Sequence, residues 1–438
     1  MATTMRLRRS LASAYVWRTV IRAAAVAAAV YGAFVFVIAP LTGHFAGEFE
    51  DFGAYLGAAQ ASVAHADIYA AFTHQAQNVA LSGFDYPPVV ALLVTPLAYV
   101  PVNVAATLWL LVGVAATFAG AVIVTRTLLP ATWPRLELAV LVTVLYAPAT
   151  YNLWHGQMNP IVFLLLALAM RSWVRGEETR CGALIGIAAA IKLAPVVLLL
   201  LFLRRRWWKG TAAAGAVLAV SFGGGVLVYG LHTTVEYVQS VLPVLSRDDG
   251  WLYNQSWAGA VNRLADHSVL EFQPGLLVAR AVALALSIAS LAAAAWTVRP
   301  GGIDSETRGA QFGAGVIAML LAGTITWYAH DIHLLIPLAA GAALVAWRHE
   351  YRRTLVVSLV LVALATAVLA PLLISLASMP SIVAVSQTGW WWPLLQLTSA
   401  PTFAAAALLA ALVVALRPRA GQPAGSAAYH RRAQGVSR

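Results

Sequence analysis

Lys192 lies inside the apolar run AAIKLAPVV, far from the basic flanks at Arg180 and Arg204. A charge at the centre of a membrane span costs roughly 2.5–3.5 kcal/mol on insertion scales, and such groups face a cavity and a partner. An anionic ligand would be a natural counter-charge. Asp51, in GEFEDFGAYLG just past the first apolar run, stands in a stretch dense in carboxylates and aromatics. A partly dehydrated carboxylate there can serve as a general base. Glu48 and Glu50 compete for that role, and capping of the following helix is the plainer task for Asp51. Asn152, His155, Gln157 and Asn159 crowd the turn NLWHGQMNP, which needs only Gly156 and Pro160 as a turn. The amides suit sugar hydroxyls or phosphate. Asn254, Gln255 and Ser256 precede Arg263, whose guanidinium can pair bidentately with phosphate or bridge to Asp266. Trp327, His330, Asp331 and His333 form TWYAHDIHLL. Two histidines three apart share a helical face, but no third ligand is evident and no metal is expected. Asp85-Tyr86-Pro87-Pro88 reads as a rigid start to a helix, because proline in the first turn loses no backbone donor.

These residues sit in a chain that water cannot host. Of 438 residues 61% are hydrophobic, against roughly 45–50% in soluble domains. Charged residues make up 10%, against roughly 25%. The composition excludes a soluble enzyme, a disordered chain and a disulfide scaffold, since Cys181 is alone. It predicts an all-α polytopic integral membrane protein. The net charge of +11 is not a nucleic-acid signal. All Lys and Arg except Lys192, Arg247, Arg263 and Arg280 fall on one set of alternating connectors, as the positive-inside rule requires. Both termini are then cytoplasmic in a plasma membrane. Most acidic residues fall on the opposite, outer connectors, where chemistry is expected.

The expected organisation is a basic cytoplasmic N-terminus over 1–22, a membrane domain over 23–416 and a disordered cytoplasmic tail over 417–438. Candidate spans are 23–41, 87–100, 103–125, 138–151, 159–173, 181–203, 211–230, 274–298, 310–327, 334–347, 355–376 and 396–416. The first is read as an uncleaved helix. The outer loops 42–86 and 231–272 are the largest. Two segments resist simple counting. The 181–203 run has basic clusters on both sides, which fits a re-entrant pair turning at Lys192 and Pro195 or else one tilted span. The 87–125 run reads as two helices where parity allows one crossing.

The ordered set of motifs resembles glycosyltransferase family 87, membrane transferases of the GT-C class that use polyprenyl-phosphate sugars. It is carried by Asp51 with Tyr55, Tyr86-Pro87-Pro88, Asn152 with Gly156-Gln157-Met158-Asn159, Lys192-Leu193-Ala194-Pro195, Asn254-Gln255-Ser256 with Gly259 and Arg263, and Trp327 with His330. The resemblance implies a GT-C-like helical bundle with a long extracytoplasmic first loop. The reaction implied is inverting transfer of a sugar, mannose before glucose or arabinose, to an envelope glycolipid or polysaccharide. Asp51 would be the base. Lys192, Arg263 and His330 would stabilise the leaving phosphate. Tyr55, Tyr86, Asn152, Gln157, Asn159, Asn254, Gln255 and Trp327 would hold sugar or acceptor. Apart from the lipid-linked donor and membrane lipid, no cofactor and no nucleic acid is implied. The chain departs from the family's mannosyltransferases at Asp85, where they have threonine, and at Asp331, where they have a second histidine. A transporter or flippase of a lipid-linked sugar is the competing class.

Overall fold

The computed structural model describes residues 2–45, 47, 49–75, 83–247, 250–265, 276–299, 304–347, 349–377 and 397–417. Glu48, the Asp266 partner considered for Arg263, and the tail beyond 417 lie outside them. Regular structure among the described residues is helical, with one isolated antiparallel bridge between Asn254 and Trp327. Seven of the described helices are long and apolar enough to cross a membrane: Val16–Leu41, Val102–Leu128, Trp208–Leu245, Leu277–Thr297, Tyr328–Ala346, Arg352–Leu376 and Leu397–Ala415. The chain is a multi-pass membrane protein.

The crossing ambiguity at 87–125 resolves in favour of the second helix. Pro87 and Pro88 start a short helix, Pro88–Val94, which tightens into a 3₁₀ turn at Thr95–Tyr99. Together these rise about 18 Å at 1.5 Å per residue, too little for a core of about 30 Å. Val102–Leu128 has the length to cross. The expected span 138–151 is broken. Arg135–Leu145 and Ala147–His155 meet at 53°, where Pro148 sits in the first turn of the second arm and Tyr146 is extended. Proline removes a backbone donor and its ring crowds the preceding turn. The bend carries Asn152 to Gly156 inward.

The 178–205 segment doubles back. A continuous helix over it would hold its ends about 40 Å apart. Instead Glu178 Oε1 accepts the Gly210 N–H at 3.0 Å, and Trp173 packs on Phe202 and Trp207 at 5.7 and 4.8 Å between ring centres. Both ends of the segment therefore share one face of the bundle. The Glu178–Ile191 helix stops at Lys192, which is extended at φ −141°, ψ 118°. The 3₁₀ turn Ala194–Leu198 and the helix Leu199–Arg205 return the chain. Lys192 stands at the tip. Glycines permit the close packing: a Cβ on Gly182 would strike the Gly210 carbonyl oxygen, and one on Gly210 would lie 2.6 Å from the Phe202 ring.

The Ser305–Ala322 helix forms the centre of the bundle. Every residue from Gly309 to Leu321 is buried. It packs on Asn159–Arg175, Leu277–Thr297, Leu335–Trp347 and Ala400–Ala415. Its N-terminus is capped by Asp304, whose carboxylate accepts from Thr307 N–H at 2.6 Å. Its other end delivers the chain to Trp327 and His330.

If the hairpin is held closed at its mouth, Gly182→Val must push the two arms off the Trp208–Glu236 helix. Overpacking of this kind costs roughly 1–3 kcal/mol. The expected result is a lower Tm in detergent, measured beside Gly215→Val, where a Cβ meets open space and little change is expected.

Candidate active site

The Glu50–Val63 helix is docked by its N-terminal end. Phe49 caps it in the left-handed region at φ 55°, so Asp51 lies inside the first turn and is not the cap. Phe49 N–H donates to the Trp154 carbonyl at 3.2 Å. Phe45, Phe49, Phe52 and Trp109 pack ring against ring. Gly156 ends the Ala147–His155 helix at φ 66°, and a Cβ there would lie 2.7 Å from Phe52 Cβ. Its carbonyl accepts from Trp109 Nε1 at 2.7 Å. This lock places Gln157 opposite Asp51.

One chain of amides joins the candidate base to the buried cation. Gln157 Nε2 donates to Asp51 Oδ2 at 2.6 Å. Asn159 Nδ2 reaches Gln157 Oε1 at 3.4 Å and Asn152 Oδ1 at 2.9 Å. Lys192 Nζ donates to Asn159 Oδ1 at 2.9 Å. Asn152 Nδ2 anchors the chain on the carbonyls of Pro148 and Ala329, at 2.6 and 2.7 Å. Asn152 and Asn159 are fully buried, and their donors are spent on protein. They orient Gln157 and Lys192, a different task from the sugar contact expected of them. Gln157 and Asp51 are half-buried.

Tyr55 and Tyr86 share a hydrogen bond of 2.9 Å between hydroxyls, and Met158 N–H donates to Tyr55 Oη at 3.3 Å. Lys192 Nζ lies 5.5 Å from the centre of the Tyr86 ring, a cation–π contact. Asp85, next in sequence to Tyr86, shares this environment with Asp51 and Lys192. Burial pushes the Asp51 carboxyl up to about 7; the Asp85 charge adds to the rise, while Lys192 and the Gln157 amide oppose it. Burial likewise raises Asp85 to about 6, against the pull of Lys192. A carboxyl poised near neutrality suits general-base work. Asp85 is the residue that reading the sequence passed over. The double proline after it explained the segment without it, yet a second acid on the outer loop of Asp51 was the available signal.

The late loop is built differently from expectation. Asn254, Gln255 and Arg263 are buried, and their groups close a polar plug. Asn254 Oδ1 accepts from Ser256 Oγ and Thr326 N–H, at 2.8 and 3.0 Å, and its Nδ2 donates to the Thr324 carbonyl. Gln255 N–H donates to the Thr326 carbonyl, and its Nε2 to that of Leu252. Arg263 donates to Ser399 Oγ and the carbonyls of Trp251 and Asn254, at 2.8, 2.7 and 2.8 Å. Those bonds make Arg263 a strut of the plug. Trp327 is half-buried against Trp251, with ring centres 5.9 Å apart. The plug fixes the following 3₁₀ turn, Tyr328–Leu334. On it His330 keeps Lys192 as a charged neighbour, and its buried Nε2 has no hydrogen-bond partner among the described residues. Asp51, Tyr55, Asp85, Tyr86, Gln157, Lys192 and His330 thus make one site. Among the described residues no group of three or more His, Cys, Asp or Glu could hold a metal ion.

The arrangement offers a tunable carboxyl, a half-buried ammonium and an imidazole nitrogen unpaired among the described residues, which suits proton removal from a hydroxyl beside a departing anion. The profile of glycosyltransferase family 87 matches residues 84–324. Over 322 residues the chain is 30% identical to a polyprenol-phosphate-mannose-dependent alpha-(1-2)-phosphatidylinositol pentamannoside mannosyltransferase of Mycolicibacterium smegmatis, covering 68% of this chain and 73% of that one. It is 27% identical over 264 residues to the protein of that name from Mycobacterium tuberculosis, covering 57% and 56%. No solved structure matches. The chain belongs to glycosyltransferase family 87, and is a membrane glycosyltransferase. The family assignment sets the transporter reading aside.

The two coupled carboxyls generate a pH test. Removing the Asp85 charge takes away a repulsion that disfavours ionised Asp51. Asp85→Asn should move the acidic limb of the pH–rate profile below its wild-type midpoint near 7, by up to about one unit. Turnover measured from pH 5 to 9 checks both position and sign.

Proposed function

We propose that the protein transfers mannose from a polyprenyl-phosphate donor to an envelope glycolipid or glycan on the outer face of the plasma membrane. The activities named for the mycobacterial relatives support donor and sugar, and they point to a phosphatidylinositol-anchored mannoside as the kind of acceptor. The observation that carries the mechanism is the hydrogen-bonded chain from Asp51 through Gln157 and Asn159 to Lys192.

In this reading Asp51 takes the proton of the acceptor hydroxyl. The freed oxygen pair attacks the anomeric carbon as its bond to the phosphate oxygen breaks. Attack from the face opposite the phosphate inverts the centre, so a β-linked donor gives an α-linked product. The polyprenyl phosphate leaves with the bonding pair. Lys192, with His330 beside it, meets that developing charge; fixed electrostatic stabilisation is usually the largest catalytic term. Tyr55, Tyr86 and Gln157 line the space between base and cation. A bound metal ion is not part of this scheme, since the ammonium already stands where charge appears. The basic connectors support placing both termini in the cytoplasm, with the site on the other side.

Asp51→Asn keeps the shape and the Gln157 contact but removes the base. It should remain folded and lose about 10²–10⁴ in turnover. Purified protein would be given β-mannosyl, β-glucosyl and β-arabinofuranosyl polyprenyl phosphates, following polyprenyl phosphate release. Release from the mannosyl donor alone, lost in Asp51→Asn, is expected; near-normal turnover in the variant removes Asp51 from its role. Preincubation with EDTA should leave the wild-type rate within about twofold, because the charge at the leaving group is met by protein; abolition that Mg²⁺ or Mn²⁺ restores would require a metal in the mechanism.

A further inference from the structure

At the mouth of the hairpin, where it meets the start of the Ser305–Ala322 helix, two arginines share one tryptophan. The Arg205 guanidinium carbon lies 4.9 Å from the Trp173 ring centre and 4.5 Å from that of Trp207. The Arg308 carbonyl accepts from Trp173 Nε1 at 3.1 Å, and Arg308 Nη1 donates to the neighbouring Val174 carbonyl at 2.8 Å. Each arginine is the other's charged neighbour. Neither takes part in an ion pair among the described residues. The acids at hand are otherwise engaged. Glu177 accepts from Ser172 Oγ and pairs with Arg175 and Arg180. Glu178 takes the Gly210 N–H. Arg205 Nη1 and Arg308 Nε are nevertheless buried and have no hydrogen-bond partner among the described residues.

Burying a guanidinium donor unpaired is costly, and two like charges without an anion between them add to the cost. The two tryptophan rings, 4.8 Å apart, pack together against the Arg205 guanidinium, while its Nη1 is left for a ligand. Guanidinium edges match the oxygens of a phosphate, to which they bind in paired hydrogen bonds. Basic pockets between membrane helices are a known form of headgroup site. We propose that Arg205 and Arg308 bind a phosphate group, at a site separate from the one that holds the sugar donor. Lys192 stands at the tip of the hairpin and Arg205 at its mouth, so the two cations cannot serve one phosphate. A phosphate bound between Arg205 and Arg308 joins the returning arm of the hairpin to the central helix and braces the element that carries Lys192. The phosphodiester of an anionic lipid and a soluble phosphate share this chemistry.

The test uses the purified full-length protein, delipidated in neutral detergent. Phosphatidylglycerol, phosphatidylcholine and inorganic phosphate are titrated separately, reading Tm and, by native mass spectrometry, retained lipid. Wild type should retain phosphatidylglycerol in preference to phosphatidylcholine and melt higher with it. Arg205→Gln and Arg308→Gln should each weaken this by at least about tenfold, the loss expected for a charged hydrogen-bonding group. Arg205→Lys, which keeps the charge but not the fork, should fall between. Sugar transfer by the variants reports that they are folded. A Tm rise with inorganic phosphate and none with phosphatidylglycerol supports the site and assigns it to a soluble ligand. Equal retention of both lipids with no response to phosphate, or variants that bind as wild type, overturns it.

Discussion

The structure turns on one difficulty: an ammonium group held half-buried at the tip of a hairpin inside a membrane protein. Lys192 cannot be left bare in an apolar interior, and it cannot be fully neutralised if it is to meet a departing phosphate. The fold answers with one neutral amide, Asn159, at hydrogen-bonding distance, an aromatic face at Tyr86, and two carboxyls in the same environment. Burial raises those carboxyls toward neutrality, so their charge opposing the ammonium depends on pH. The same arrangement that tolerates the cation makes Asp51 a base near pH 7.

Holding that cluster takes more than straight helices. The hairpin brings Lys192 in from one face of the bundle, while the bent Arg135–His155 pair and the docked Glu50–Val63 helix bring Asn152, Gln157 and Asp51 from elsewhere. Each break has a local cause: proline in the first turn at 148, proline at 195 after an extended Lys192, and a left-handed glycine at 156. Irregular backbone inside a membrane protein is tolerated where it is buried in protein or lines a cavity. Here it is what lets distant parts of the chain share one site. The polar plug around Arg263 serves the same end from the late loop, since it sets the turn that carries His330.

Much of this was legible from residue types. A lysine without a route to either surface, flanked by basic clusters on both sides, already implied a re-entrant turn. A turn with more amides than a turn needs pointed to Gln157 and Asn159. The late loop was less legible. Asn254, Gln255 and Arg263 are polar for the sake of backbone carbonyls and amides brought in from Thr324, Thr326 and Trp251, and a one-dimensional pattern cannot distinguish such a plug from a ligand site. Asn152 lies in the amide chain, its Nδ2 bonded to the carbonyls of Pro148 and Ala329. Asp85 was hidden because proline chemistry gave its segment a sufficient explanation. At 138–151 hydropathy ran on through a bend that only Pro148 betrayed.

The central claim is that the hairpin exists to carry Lys192 to the leaving group. The most direct measurement is single-turnover transfer by Lys192→Met, which keeps length and apolar packing, with Tm confirming the fold. Loss of a fixed stabilising group should lower the rate by about 10²–10³ with little change in donor affinity. A folded Lys192→Met protein that transfers mannose within about threefold of wild type would contradict the account.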